Sequence, residues 1–166
     1  KMSLKVPKQS VVNASPLIFL SKADMVHLLQ QVGSEVLVPE PDVQEILKRG
    51  SQDVTAKVLK STEWLKPIEV SKIPALIQSW DLGPGESSVL AYAYANPGVT
   101  AIIDDGPGRY CAETLGVPLR GTLGLVMIAK KRGVIPAARP IVAVLKQQGM
   151  YLSEAVINRA MALIDE

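Results

Sequence analysis

The stretch DLGPGESSVLAYAYANPGVTAIIDDGPGR, Asp81 to Arg109, decides how the chain is read. A Gly-Pro-Gly turn opens it and places Glu86 in the first turn of a predicted helix, which Pro97 and Gly98 end. The apolar strand Thr100 to Ile103 follows and finishes on Asp104 and Asp105, before a second glycine-rich turn. Residues 81–105 hold four acids (Asp81, Glu86, Asp104, Asp105) and no Lys or Arg. A helix followed by a strand, with acids at the ends facing each other, suggests a small metal site.

Upstream, Ser10-Val11-Val12 reads as a buried strand ending at Asn13, with Ser15 as the N-cap of a helix that starts at Pro16. That helix carries Leu17 to Leu29 with a break near Lys22 to Asp24 and stops at Gly33. Glu35 to Val38 is a second strand, closed by Pro39. A helix from about Glu40 to Arg49 follows, with Val43, Ile46 and Leu47 on its apolar face, Glu45 beside that face and Gly50 at its end. Asp53 to Lys60 is a short helix, Trp64 to Val70 an edge strand because of Pro67, and Ile73 to Trp80 a helical turn. After Arg109 a helix runs to Leu115 with Gly116 as its cap, and Val117-Pro118-Leu119 forms the last strand. Three closing helices are expected over about Leu123 to Lys131, Pro140 to Gln148 and Ser153 to Ile164.

Strands separated by helices predict an α/β fold with a parallel central sheet. Ligands of such sheets bind beyond the carboxyl ends of the strands, so Asn13 and Asp104 point to one crevice, which Glu45 and Glu86 reach from helices. No repeat or low-complexity linker divides the chain, so residues 1–166 are expected to form one domain, with 121–166 as a helical C-terminal extension.

Composition narrows the class. The chain has 166 residues, 48% hydrophobic and 20% charged, as an ordinary globular protein does, and with one Phe, two Trp and four Tyr its core must be aliphatic. A lone cysteine, Cys111, excludes an internal disulfide and a cysteine-rich zinc site, which makes a reducing cytoplasm the expected compartment. The most apolar runs, Val11 to Leu20 and Gly121 to Ala129, fall short of the about 20 residues a membrane helix needs. The start KMSLKVPKQS lacks the apolar region of a signal peptide. Net charge is +2, yet Gly106 to Met150 carries seven basic residues against one acid, Glu113. An acidic cluster beside a basic half suits a cation held together with a polyanion; solvated helix faces are the simpler reading of the same pattern.

Hard cations such as Mg²⁺ take oxygen ligands, which Glu45, Glu86, Asp104 and Asp105 could supply. Each acid also has an ordinary structural reading: the helix dipole favours Glu86, Asp105 suits an N-cap, and Glu45 suits a solvated face. Asp104 resists one because it directly follows Ala101-Ile102-Ile103. His27 has no partner, Cys111 reads as a buried thiol, and Ser15 lacks the glycines and the second histidine of a hydrolase triad. Neither Gly-Pro-Gly turn has the lysine or the spacing of a nucleotide-binding loop.

Taken together and in order, VVNASPLIFLSK, VLVPEPDVQEI, LGPGESSVLAYA, AIIDDGPGRYCAETLGV and GTLGLVMIAKKRG resemble the PIN-domain superfamily. More narrowly they are similar to a small prokaryotic group, uncharacterised or known only as nucleic acid-binding, that is related to the VapC toxins. The resemblance runs from about Val11 to the final helices. It implies a three-layer fold, with extra C-terminal helices, around an acidic pocket. It also implies Mg²⁺- or Mn²⁺-dependent cleavage of RNA, homodimers and, for toxin relatives, an antitoxin partner. The family's four acids fall on Asn13, Glu45, Glu86 and Asp104, with Asp105 adjacent. Ser15 matches a small hydroxyl residue near the first acid, and Arg109 a basic position after the fourth. Lys130, Lys131 and Arg132 are expected to help Arg109 position an RNA backbone.

Asn13 departs from the pattern: an amide oxygen can coordinate a cation but brings no charge and accepts no proton. Three functions are therefore carried forward. The first is a PIN-type ribonuclease using Glu45, Glu86 and Asp104 as catalytic acids, with Asn13 and Asp105 completing the metal ligands. The second is a catalytically weakened PIN fold that binds RNA or an antitoxin. The third is a metal-dependent phosphatase of small esters.

Overall fold

The computed structural model describes residues 9–166; the signal-peptide reading of the chain's first residues falls mainly on 1–8, outside the described residues. Five strands, β1 (Gln9–Val12), β2 (Glu35–Pro39), β3 (Leu65–Ile68), β4 (Thr100–Ile102) and β5 (Leu119–Arg120), form one sheet in the order β3-β2-β1-β4-β5. Every pairing is parallel, with Val11 opposite Leu37 on one side and Ala101 on the other. The strand order reverses at β1, so the crevice past the ends of β1 and β4 is the switch point where open α/β sheets bind ligands.

Alternation along the strands builds three layers. Val12, Val36, Val38 and Ile102 face one core with α1 (Ala14–Lys22), α2 (Glu40–Leu47) and α3 (Val54–Ser61). Val11, Leu37, Ala101 and Ile103 face a second core with α4 (Ala75–Gln78), α5 (Pro84–Ala95) and α6 (Gly106–Leu115). Because successive strand residues point to opposite faces, nearly continuous apolar runs are what a doubly covered sheet requires. A third core joins α7 (Thr122–Lys131), α8 (Arg139–Gln147) and α9 (Glu154–Leu163) to Leu28. Helix α7 ties the cores together: its Leu125 belongs to the first, and its Val126 and Ala129 to the third.

Several local expectations are corrected. Helix α1 begins at Ala14 with Asn13, not Ser15, at the N-cap, and no side chain caps it, because the Asn13 amide is engaged elsewhere. The segment after the break is a 3-10 helix, Val26–Gln31, and α2 ends at Leu47, two residues before Arg49. The last strand lies at Leu119–Arg120, two residues beyond its expected start, because Val117 N–H bonds back to Ala112 and closes α6 first. On α2, Val43 and Ile46 are buried as expected, but Leu47 is 38% exposed and the fully buried Asp42 takes its place on the inner face. Positions 42, 43 and 46 point inward together, as i, i+1 and i+4 do on a helix.

Candidate active site

The ends of β1, β4 and β5 are held side by side by backbone bonds, Asn13 N–H to the Ile102 carbonyl (3.0 Å) between β1 and β4 and Ile103 N–H to the Arg120 carbonyl (3.0 Å) between β4 and β5. A cavity of ≈ 790 Å³ opens beyond them. Its lining includes Asn13, Ser15, Glu45, Glu86, Asp104, Asp105 and Arg109, so seven of the ten anticipated site residues meet in one place. Lys130, Lys131 and Arg132 lie at the far end of α7, outside that lining. Lys130 Nζ pairs with Glu166 Oε2 at 3.2 Å, and Arg132 Nη1 donates to the Gln31 carbonyl at 2.7 Å. Arg120, at the end of β5, lines the cavity along with Arg109 instead.

Each acid is fixed differently. Asp104 accepts from the Thr122 backbone N–H (Oδ1, 2.7 Å) and the Thr122 hydroxyl (Oδ2, 2.6 Å). A carboxylate has about four acceptor positions, so both oxygens keep a lone pair for another ligand. Asp105 is the N-cap of α6, its Oδ2 accepting from Gly108 N–H at 3.2 Å, so the structural reading of Asp105 holds and leaves its other oxygen available. Glu45 is solvent-exposed on α2 at the cavity edge. Arg109 Nη1 donates to the Ile103 carbonyl at 3.0 Å, which anchors the guanidinium beside the strand end.

Glu86 enters from the first turn of α5, with Oε2 buried and lacking any hydrogen-bond partner. Burial pushes its carboxyl up to about 7, reinforced by the Asp105 carboxyl within hydrogen-bonding reach and by the charges of Asp42 and Glu45. The Glu86 carboxyl thus sits half-buried among acidic neighbours. Glycine makes the close approach possible. A Cβ on Gly108 would stand 2.5 Å from Glu86 Oε2, and one on Gly121 would stand 2.5 Å from Arg109 Nη1 and 3.0 Å from Asp104 Oδ1.

A fifth acid, Asp42, escaped the sequence reading. Its Oδ1 accepts from the Asn13 side-chain amide and from the Ala14 N–H, both at 2.8 Å, and its Oδ2 is buried without a partner. Burial raises this carboxyl to about 7 against the lowering effect of the Ala14 bond, with the charge of Glu45 adding to the rise and the Asn13 bond opposing it. The available signal was spacing: Asp42 stands four residues before Ile46, on the buried side of α2.

The donor set is all oxygen, as hard divalent cations prefer, and Glu86 Oε2 is buried with no hydrogen-bond partner. Among the described residues no group of three or more His, Cys, Asp or Glu side chains forms a ready cage for a metal ion. Mg²⁺ keeps several waters and takes one or two carboxylates plus substrate phosphate, and carboxylates in that number line the cavity. Among the described residues no helix is long and apolar enough to cross a membrane.

A family model described as a PIN domain matches residues 9–166. No curated protein matches the chain.

Proposed function

The chain belongs to the PIN-domain family, whose members are in general nucleases that use divalent metals, and from that premise we propose that it is a divalent-metal-dependent endoribonuclease. The observation that carries the reading is the convergence of Glu86, Asp104 and Asp105 on one cavity at the switch point, with Glu86 Oε2 buried there without a hydrogen-bond partner. Glu86, Asp104 and Asp105 would hold Mg²⁺ or Mn²⁺, with Glu45 and the Asn13 oxygen at the periphery. When bound, the cation supplies Lewis-acid activation of water and neutralises charge at the scissile phosphate. The protein supplies the rest. Thr122 fixes the Asp104 carboxylate in place, and Arg109 and Arg120 attract the phosphate backbone. Ser15, at the cavity wall, is placed to hydrogen-bond a sugar or phosphate oxygen. Lys130, Lys131 and Arg132 extend the positive surface beyond the cavity. Dimer formation and pairing with an antitoxin extend the same reading.

A second reading, a weakened site that binds RNA or an antitoxin without cutting, is favoured by one observation: the head of β1 carries Asn13 rather than an acid. The deciding assay is cleavage of a mixed-sequence RNA with Mn²⁺, with Mg²⁺ and with EDTA, by the parent and by Asp104→Asn. Metal-dependent cleavage lost in Asp104→Asn supports the nuclease. Metal-independent binding without cleavage selects the binding module, and turnover of small phosphate esters but not RNA selects a phosphatase.

A further inference from the structure

The Asn13 amide has two unlike ends, a donor-only NH₂ and an acceptor-only oxygen, and which end faces the cavity decides whether Asn13 helps or hinders a cation. The neighbours settle the choice. Asp42 Oδ1 sits 2.8 Å from the amide nitrogen, and the opposite orientation would set a carbonyl oxygen against a carboxylate oxygen at that distance. The same Oδ1 accepts the Ala14 N–H at 2.8 Å, so Asp42 is tied to the backbone immediately after Asn13 and cannot swing away without leaving that donor unpaired. Asp42 is fully buried, and α5 makes room for it with Gly85, where a Cβ would stand 2.6 Å from Oδ1.

We propose that Asp42 is a positioning residue that locks the Asn13 amide with its oxygen toward the acidic cavity, so that an uncharged side chain serves at the head of β1. The inference rests on the cation-binding reading above. It changes the meaning of Asn13. A carboxyl group at position 13 would remove the amide donor that Asp42 Oδ1 accepts, so Asn13→Asp alone sets two carboxyl groups together that must share a proton or repel, rather than adding a better ligand. The negative charge usual at a metal site is set one residue back, behind the amide, as an outer carboxylate orients a ligand.

The test is a swap cycle: the parent, Asn13→Asp, Asp42→Asn, and the double variant carrying both. Mn²⁺ affinity is measured by calorimetry, and Tm without metal is recorded for each protein. Each single change is expected to weaken Mn²⁺ binding about 10-fold or more, and the double variant to return within about threefold of the parent. Tighter Mn²⁺ binding by Asn13→Asp alone overturns the proposal, as does a double variant whose loss is the product of the two single losses. A lower Tm for Asp42→Asn with unchanged Mn²⁺ affinity reduces Asp42 to a structural role and also overturns it. Should a single variant fail to fold, the parent decides through its Asn13 side-chain amide resonances, assigned with Asn13→Ala. Hydrogens protected from exchange support the lock, and free exchange refutes it. Restored Mn²⁺ affinity in the double variant without RNA cleavage by any protein would sink the nuclease reading and leave this one standing. A parent that binds no Mn²⁺ removes both.

Discussion

Asp104 and Asp42 are the same side chain in opposite circumstances, one lining the cavity and the other buried behind its wall. Asp104 ends β4 with both oxygens held by Thr122 and still reaches the cavity. Asp42 lies behind Asn13 with one oxygen accepting two N–H groups and the other accepting none. The first arrangement presents a charge at the surface of the site; the second keeps a charge out of sight and presents a neutral amide. A carboxylate's contribution therefore depends on which donors surround it more than on its presence.

The sharpest way to break that comparison is to remove a presented charge. Glu86→Gln is expected to lower metal-dependent RNA cleavage by at least about 100-fold, read as initial rates at saturating Mn²⁺. Retained cleavage would mean that the β4 half does not carry the chemistry.

Crowding tests the same half without changing its charge. Gly108→Ala drives a methyl group toward Glu86 Oε2 and should cost about 1–3 kcal/mol, measured by urea unfolding. Gly106→Ala, two residues earlier, meets nothing within 4 Å and is expected to stay within about 0.5 kcal/mol.

Acidity sharpens the comparison next. Glu86 and Asp42 both titrate near 7 in the folded protein but near about 4 when unfolded. Between those values the folded state binds more protons at these two groups, so the stability they contribute is full below about pH 4, falls as pH rises to 7, and is absent above. Without metal, Tm should drop by roughly 5 °C between pH 5 and pH 8. Saturating Mn²⁺ should shrink the drop, because the cation takes the proton's place.

Smaller effects follow. Thr122→Val deletes the hydroxyl donor of Asp104 but keeps the backbone one, and should cost about 1 kcal/mol in stability and about 10-fold in Mn²⁺ affinity. Arg120→Ala, at the cavity, should reduce the salt dependence of RNA binding by about one ion. Lys131→Ala, beyond the cavity, should change it less if the cavity is the main contact.

The sheet was legible because its strands are short apolar runs bounded by turn residues, and a parallel order follows once helices separate them. Asp104 was legible for a related reason: an acid directly after Ala101-Ile102-Ile103 has nowhere to go but the strand end. Asp42 was not, since an acid in a helix's first turn reads as a response to the helix dipole, and only the tertiary pairing with Asn13 explains its burial. Ser15 looked like a cap because local sequence carries no record that Asn13 has its own partner across 29 positions. The last strand slipped by two because the turn after Gly116, which has φ 71°, uses Val117 before the sheet can.

The cavity has one further wall. Met150, Tyr151, Leu152 and Val156 line it, and Tyr151 is 88% exposed there. Met150 belongs to the third core and Leu152 packs against it. Helix α7 carries both Val126 of that core and the Thr122 that holds Asp104, so this wall and the acid at the end of β4 share one helix as their support.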